Sequence, residues 1–116
     1  MQRGEVPSYS LPDICRLIRE QRYQITRSAT LAADKLGLKD RHILECVLSL
    51  HPDDFYKTMP SEKRPELWQD VYRPTYDGIW LYVKVQILTS RRTDARTAVV
   101  ISFKRKIEVA GKGGDG

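Results

Sequence analysis

Apolar positions recur along this chain with two different periods, and the change falls near residue 52. Upstream the spacing is three to four. Leu11, Ile14, Leu17 and Ile18 share one stripe, and Ile43, Leu44, Val47, Leu48 and Leu50 form another, the signature of amphipathic helices. Ser10 reads as the cap of the first helix, with Pro12 and Asp13 in its opening turn and Arg16, Arg19 and Glu20 on its outer side. An extended piece, Tyr23 to Thr26, leads to a second helix. Ser28 is its expected cap, Leu31, Ala32 and Leu36 its inward residues, and Gly37 the left-handed residue that closes it. Asp40 is the expected cap of the third helix, which His51-Pro52 ends.

Downstream the period falls to two. Phe55 to Met59 and Leu67 to Arg73 alternate, separated by a polar loop from Pro60 to Glu66. Asp77-Gly78 is a hairpin-type turn signal. The run after it places Ile79, Leu81, Val83, Val85 and Ile87 on one face and Trp80, Tyr82, Lys84 and Gln86 on the other. After a basic loop, Leu88 to Arg96, a last strand is expected to put Val99, Ile101 and Phe103 inward and Val100, Ser102 and Lys104 outward. Three helices followed by antiparallel strands predict an α+β fold with the helices on one side of the sheet. If the last two strands pair with opposed numbers summing to 186, Tyr82 lies beside Lys104 and Lys84 beside Ser102.

Composition adds limits. The chain has 116 residues, enough for one core, with 20 basic against 15 acidic residues and a net charge of +5. Six of the basic residues fall between Arg91 and Lys106 against one acid, Asp94, a bias that suits polyanions. Cys15 and Cys46 stand alone without paired histidines, which argues for two buried thiols in a reducing cytosol and against a disulfide framework or metal site. His42 and His51 sit at helix ends, where structural roles are commoner than chemistry. No apolar run is long enough to span a bilayer, and no export leader is recognisable. The expected organisation is a flexible start over 1–9, one domain over 10–108 and a glycine-rich disordered tail over 109–116.

The outward face thus gathers Trp80, Tyr82, Lys84 and Lys104, with Lys57 and Gln69 as additions from neighbouring strands. Tyrosine and lysine on the wet side of a sheet are ordinary. Aromatic and basic residues together, however, also suit phosphates and unstacked bases of single-stranded RNA. A DNA-binding regulator would need a recognition helix rich in Arg, Gln or Asn, and none of the three helices is one.

Four segments sharpen the choice: DFYK (54–57), WQDVYRP (68–74), LYVK (81–84) and ISFK (101–104). They resemble the motility quorum-sensing regulator toxins, the MqsR family, and TRSATLAADKLGL (26–38) is similar to that family's second-helix region. The resemblance runs from about Leu11 to Lys106. It implies a RelE-like, microbial-ribonuclease-type fold and a ribosome-independent, metal-independent endoribonuclease without cofactors, cutting messenger RNA at short GC-containing sites in the cytoplasm. It also implies an MqsA-type antitoxin as partner, with DNA reached only through that antitoxin. Carried over by motif, the implied catalytic positions are Lys57, Gln69, Tyr82 and Lys104. Arg73, Lys84 and Trp80 are added as candidates for holding RNA or its phosphates. The loop Thr89 to Thr97 and the tail depart from the family pattern, which bears on substrate preference and antitoxin fit. A degenerate toxin that binds RNA or an antitoxin without cutting is the alternative.

Overall fold

The computed structural model describes residues 6–106. Three helices, α1 (Leu11–Arg19), α2 (Arg27–Lys35) and α3 (Asp40–Leu48), pack on a mixed sheet of six strands: β1 (Tyr23–Ile25), β2 (Phe55–Pro60), β3 (Trp68–Tyr72), β4 (Thr75–Tyr76), β5 (Ile79–Thr89) and β6 (Arg96–Arg105). The order is β1-β6-β5-β3-β2, with β4 paired to the start of β5. β1 runs parallel to β6, and the other pairs are antiparallel. This is the expected α+β class.

The first helix starts as its sequence implies. Ser10 Oγ accepts the Asp13 N–H, and Ile14, Leu17 and Ile18 are buried with Cys15. The second helix corrects the expectation twice. Its cap is Thr26 and not Ser28, because Thr26 Oγ1 accepts from the Ala29 N–H while donating to the Ile101 carbonyl of β6. With the start moved, the inward stripe becomes Ala29 and Ala33, and Leu31 is left 49% exposed. Small residues at the contact let α2 lie close against β6. Gly37 does take a left-handed conformation (φ +79°). Its N–H bonds to Asp34 O and that of Leu38 to Ala33 O, which closes the helix.

Lys39, not Asp40, occupies the cap position of α3. His42 Nδ1 accepts the Lys39 N–H, and the Asp40 carboxylate accepts from Thr30 Oγ1 on α2. His51 is used similarly, its Nδ1 accepting from the Asp53 N–H at the one-turn 3-10 helix Pro52–Asp54. Both thiols are buried. Burial, then the charges of Asp54 and Glu45, pushes Cys46 up to about 12, and burial raises Cys15 against the pull of Arg19.

Asp77 and Gly78 both have positive φ, the conformation of a two-residue hairpin turn, and join β4 to β5. Between β5 and β6, Tyr82 lies opposite Lys104 and Lys84 opposite Ser102, as the parity argument requires. The parity then breaks. Val85 faces Val100, so Ile101 is an extra residue and β6 carries a β-bulge there. Upstream of it the faces exchange. Ala98 and Val100 enter the core beside Val85 and Ile87, while Val99 sits opposite Gln86 on the other face, so Val99 and Ile101 are not the inward pair expected. A second bulge at Tyr56 shifts β2 against β3: Phe55 pairs with Tyr72 but Lys57 with Val71.

The start of the chain also differs from a free end. The backbone N–H groups of Ser8 and Tyr9 donate to the Asp70 carboxylate at 2.9 Å each, and the Tyr9 hydroxyl donates to the Trp68 carbonyl. Residues 1–5 of the expected flexible start and all of the expected tail, 109–116, lie outside the described residues. No described helix is long and apolar enough to cross a membrane.

Candidate active site

Because side chains alternate across a strand, the register turns the sheet face away from the core into rows. One row reads Lys57, Val71, Lys84 and Ser102 across β2, β3, β5 and β6. Tyr82 and Lys104 lie beside each other one step along. Met59, opposite Gln69 on β3, begins the next row on the other side.

Four of the sequence-derived residues converge. Lys57, Tyr82, Lys84 and Lys104 line one depression of about 270 Å³, together with Tyr56, Met59, Glu62 and Lys106. Gln69 lines an adjoining depression of about 300 Å³ with Ser61, Lys63 and Ile101, and Met59, Glu62 and Lys84 belong to both. Gln69 is buried, its amide within 3.5 Å of that of Gln86. Arg73 and Trp80 are not in the lining of either. Arg73 instead stacks 3.9 Å from the Tyr56 ring centre and 5.5 Å from that of Trp80. Tyr56 and Trp80 are both solvent-exposed, so this stack forms a flank beside the depression.

Charge in the depression is concentrated around one phenol. The Lys104 ammonium lies 5.2 Å and the Lys84 ammonium 5.9 Å from the Tyr82 ring centre, and Lys57 is 5.3 Å from that of Tyr56. Lys84 is half-buried and has no ion-pair partner among the described residues. Burial holds its pKa below the usual lysine value, and the positive charges of Lys104 and Lys57 press the same way. Glu62 opposes them. The site can therefore place several positive charges on an anion, and burial weakens the hold of one of those amines, Lys84, on its proton. Among the described residues no group of three or more His, Cys, Asp or Glu side chains is gathered as a metal ion would require.

Sequence reasoning missed Tyr56, Met59, Glu62 and Lys106. Strict alternation sends Tyr56 to the face opposite Lys57. The bulge at Tyr56 removes that alternation, and both side chains line the same depression. Glu62 comes from the polar loop between β2 and β3, where no periodicity marks its direction. Lys106 was visible only as one member of the basic run.

The chain is similar, at 32% identity over 100 residues, to the mRNA interferase toxin MqsR of Escherichia coli (strain K12), a match covering 86% of this chain and 95% of that protein. The family described as motility quorum-sensing regulator, toxin of MqsA, matches residues 6–105 and so takes in every residue of the depression except Lys106. A match of that extent, joined to a relative aligned over nearly its whole length, places the chain in a family: it belongs to the motility quorum-sensing regulator toxins.

Proposed function

We propose that this chain is the toxin of a type II toxin-antitoxin system, an mRNA interferase that cuts messenger RNA at short GC-containing sites without the ribosome, a metal ion or a cofactor. The observation that carries the reading is the convergence of Lys57, Tyr82, Lys84 and Lys104 around one depression on the sheet face away from the helices. The toxin domain spans 10–108 and has a RelE-like fold. The protein acts in the cytoplasm, an MqsA-type antitoxin relieves its growth arrest, and DNA is reached only through that antitoxin.

RNA carries its own nucleophile. The 2′-oxygen attacks the adjacent phosphorus, the P–O5′ bond breaks, and the products are a 2′,3′-cyclic phosphate and a 5′-hydroxyl. The protein must align that attack, bear the extra negative charge of the phosphorane and move two protons. Lys57 and Lys104 neutralise the phosphorane oxygens. Lys84 takes the 2′-hydroxyl proton, since its burial among cations favours the neutral amine that a base requires. Tyr82, held between Lys84 and Lys104, gives a proton to the departing 5′-oxygen. Gln69 contacts a base edge beside the scissile phosphate, and Arg73 with Trp80 and Tyr56 holds a neighbouring phosphate and an unstacked base.

An end-labelled oligonucleotide containing GCU, incubated with chelator, tests the proposal. Cleavage to fragments ending in a cyclic phosphate is the expected result. A strict requirement for Mg²⁺ would sink the mechanism, and intact RNA that shifts in a gel would identify a binder that does not cut.

A further inference from the structure

Gln86 lies beside the depressions, outside the lining of either. It is on β5, two residues and thus roughly 7 Å beyond Lys84 on the same face, and by the β3–β5 register it stands opposite Gln69. Residues on this face of β5 before it are aromatic or cationic: Trp80, Tyr82 and Lys84. Gln86 is only 7% exposed, and a buried amide with nothing to do would cost stability. Among the described residues its side chain bonds to Gln69, whose Nε2 donates to Gln86 Oε1 at 3.5 Å.

An amide has two chemically opposite ends, and rotating it by half a turn exchanges acceptor for donor. A free glutamine can offer either to a nucleobase and so discriminates poorly. A glutamine whose NH₂ is held by a neighbouring carbonyl is biased toward one orientation, with Oε1 and the second N–H left for a ligand. Gln69 lines the depression next to the lysines, and Gln86 supplies that carbonyl from the neighbouring strand. Among the described residues every fully buried side-chain nitrogen or oxygen has a partner, so the unused polar atoms of this pair reach the surface, where a ligand meets them.

We propose that Gln86 is a positioning residue for sequence preference: by fixing the amide of Gln69 it sets which base edge is accepted beside the scissile phosphate. This rests on the reading above, in which Gln69 touches a base. The binding atom is Gln69; Gln86 acts only through it.

The test compares Gln86→Met, which keeps volume but removes the carbonyl, with Gln86→Glu, which keeps an acceptor at the same place. Parent and variants, each first checked for an unchanged thermal transition, are given an RNA pool randomised around the cut, and the new 5′ ends are counted. The parent's ratio of preferred to second-best base at one position should narrow roughly 3- to 10-fold in Gln86→Met, the worth of one hydrogen bond. Gln86→Glu should keep the parent's order of preference. If Gln86→Met slows all sequences by one common factor, or changes nothing, the residue is merely structural and the inference fails. It fails equally if Gln86→Glu loses preference as Gln86→Met does. A parent enzyme that cuts without any base preference would instead overturn the role given to Gln69 itself.

Discussion

Asp70 and Lys84 sit on neighbouring strands and are both withdrawn from water, yet they are treated in opposite ways. Asp70 is fully buried on the core side of β3, opposite Val85, and both its oxygens are taken by the backbone N–H groups of Ser8 and Tyr9. Lys84 is half-buried on the other face, with the cations Lys57 and Lys104 nearby and no carboxylate at bonding distance among the described residues. A buried charge with its hydrogen bonds complete belongs to the fold. One left among like charges is open to a ligand of opposite sign, which under the proposed function is the RNA phosphate.

The sharpest break in this contrast is Lys84→Met. Removing the proposed base should lower kcat by roughly 10²-fold or more, while the unfolding midpoint in urea holds or rises. The pH dependence follows from the lowered pKa. An unfolded lysine keeps its proton up to about the usual 10.5, while folded Lys84 sheds its proton earlier. Below that window the cost of burying the cation is fully present. Within it the unfolded state binds more protons and stability rises with pH. The stability gap between Lys84→Met and the parent should therefore close as pH approaches that value, and a gap independent of pH would count against the assignment.

Lys104→Ala comes next, with a loss of roughly 10²-fold in kcat, as expected for one electrostatic group at a developing oxyanion. Its ammonium is exposed, so thermal stability should change little. Asp70→Ala reverses that pattern. It strands two backbone donors and should cost about 2–3 kcal/mol of unfolding free energy, read from denaturant midpoints, with turnover of the remaining folded protein intact. A folded Asp70→Ala variant that had lost cleavage would erase the distinction between the two charges. The smallest effect is expected at Arg73→Ala, where loss of one exposed phosphate contact should weaken RNA binding by about 0.5–1 kcal/mol. That is a few-fold rise in KM, with kcat unchanged.

Which parts of this were legible in the chain follows from how far each signal reaches. The Ser10 cap, the Gly37 stop, the Asp77-Gly78 turn and the alternation of β5 are written in residues that touch their sequence neighbours, and each appears where expected. Alternation alone put Tyr82, Lys84 and Lys104 outward, while Tyr82 pairs with Lys104 because the bulge at Ile101 adds one residue between the turn, where Thr89 faces Arg96, and that pair. The site residues Lys57, Tyr82, Lys84 and Lys104 were therefore available as a group before any coordinates, and Gln69 as their neighbour.

Tertiary structure decided the rest, at places where a strand meets something distant in sequence. The bulge at Ile101 is tied to Thr26, 75 residues away, whose hydroxyl takes the Ile101 carbonyl and also caps α2. Thr26 sets the helix start and its inward stripe, and the bulge exchanges the faces of Val99 and Val100. The bulge at Tyr56 likewise comes from how β2 and β3 align, and it brings Tyr56 into the depression beside Lys57. Local sequence determined which strands form and which residues on them are polar. Only cross-strand pairing, which no short window contains, decided where a regular strand gains an extra residue and so which side chains share the site.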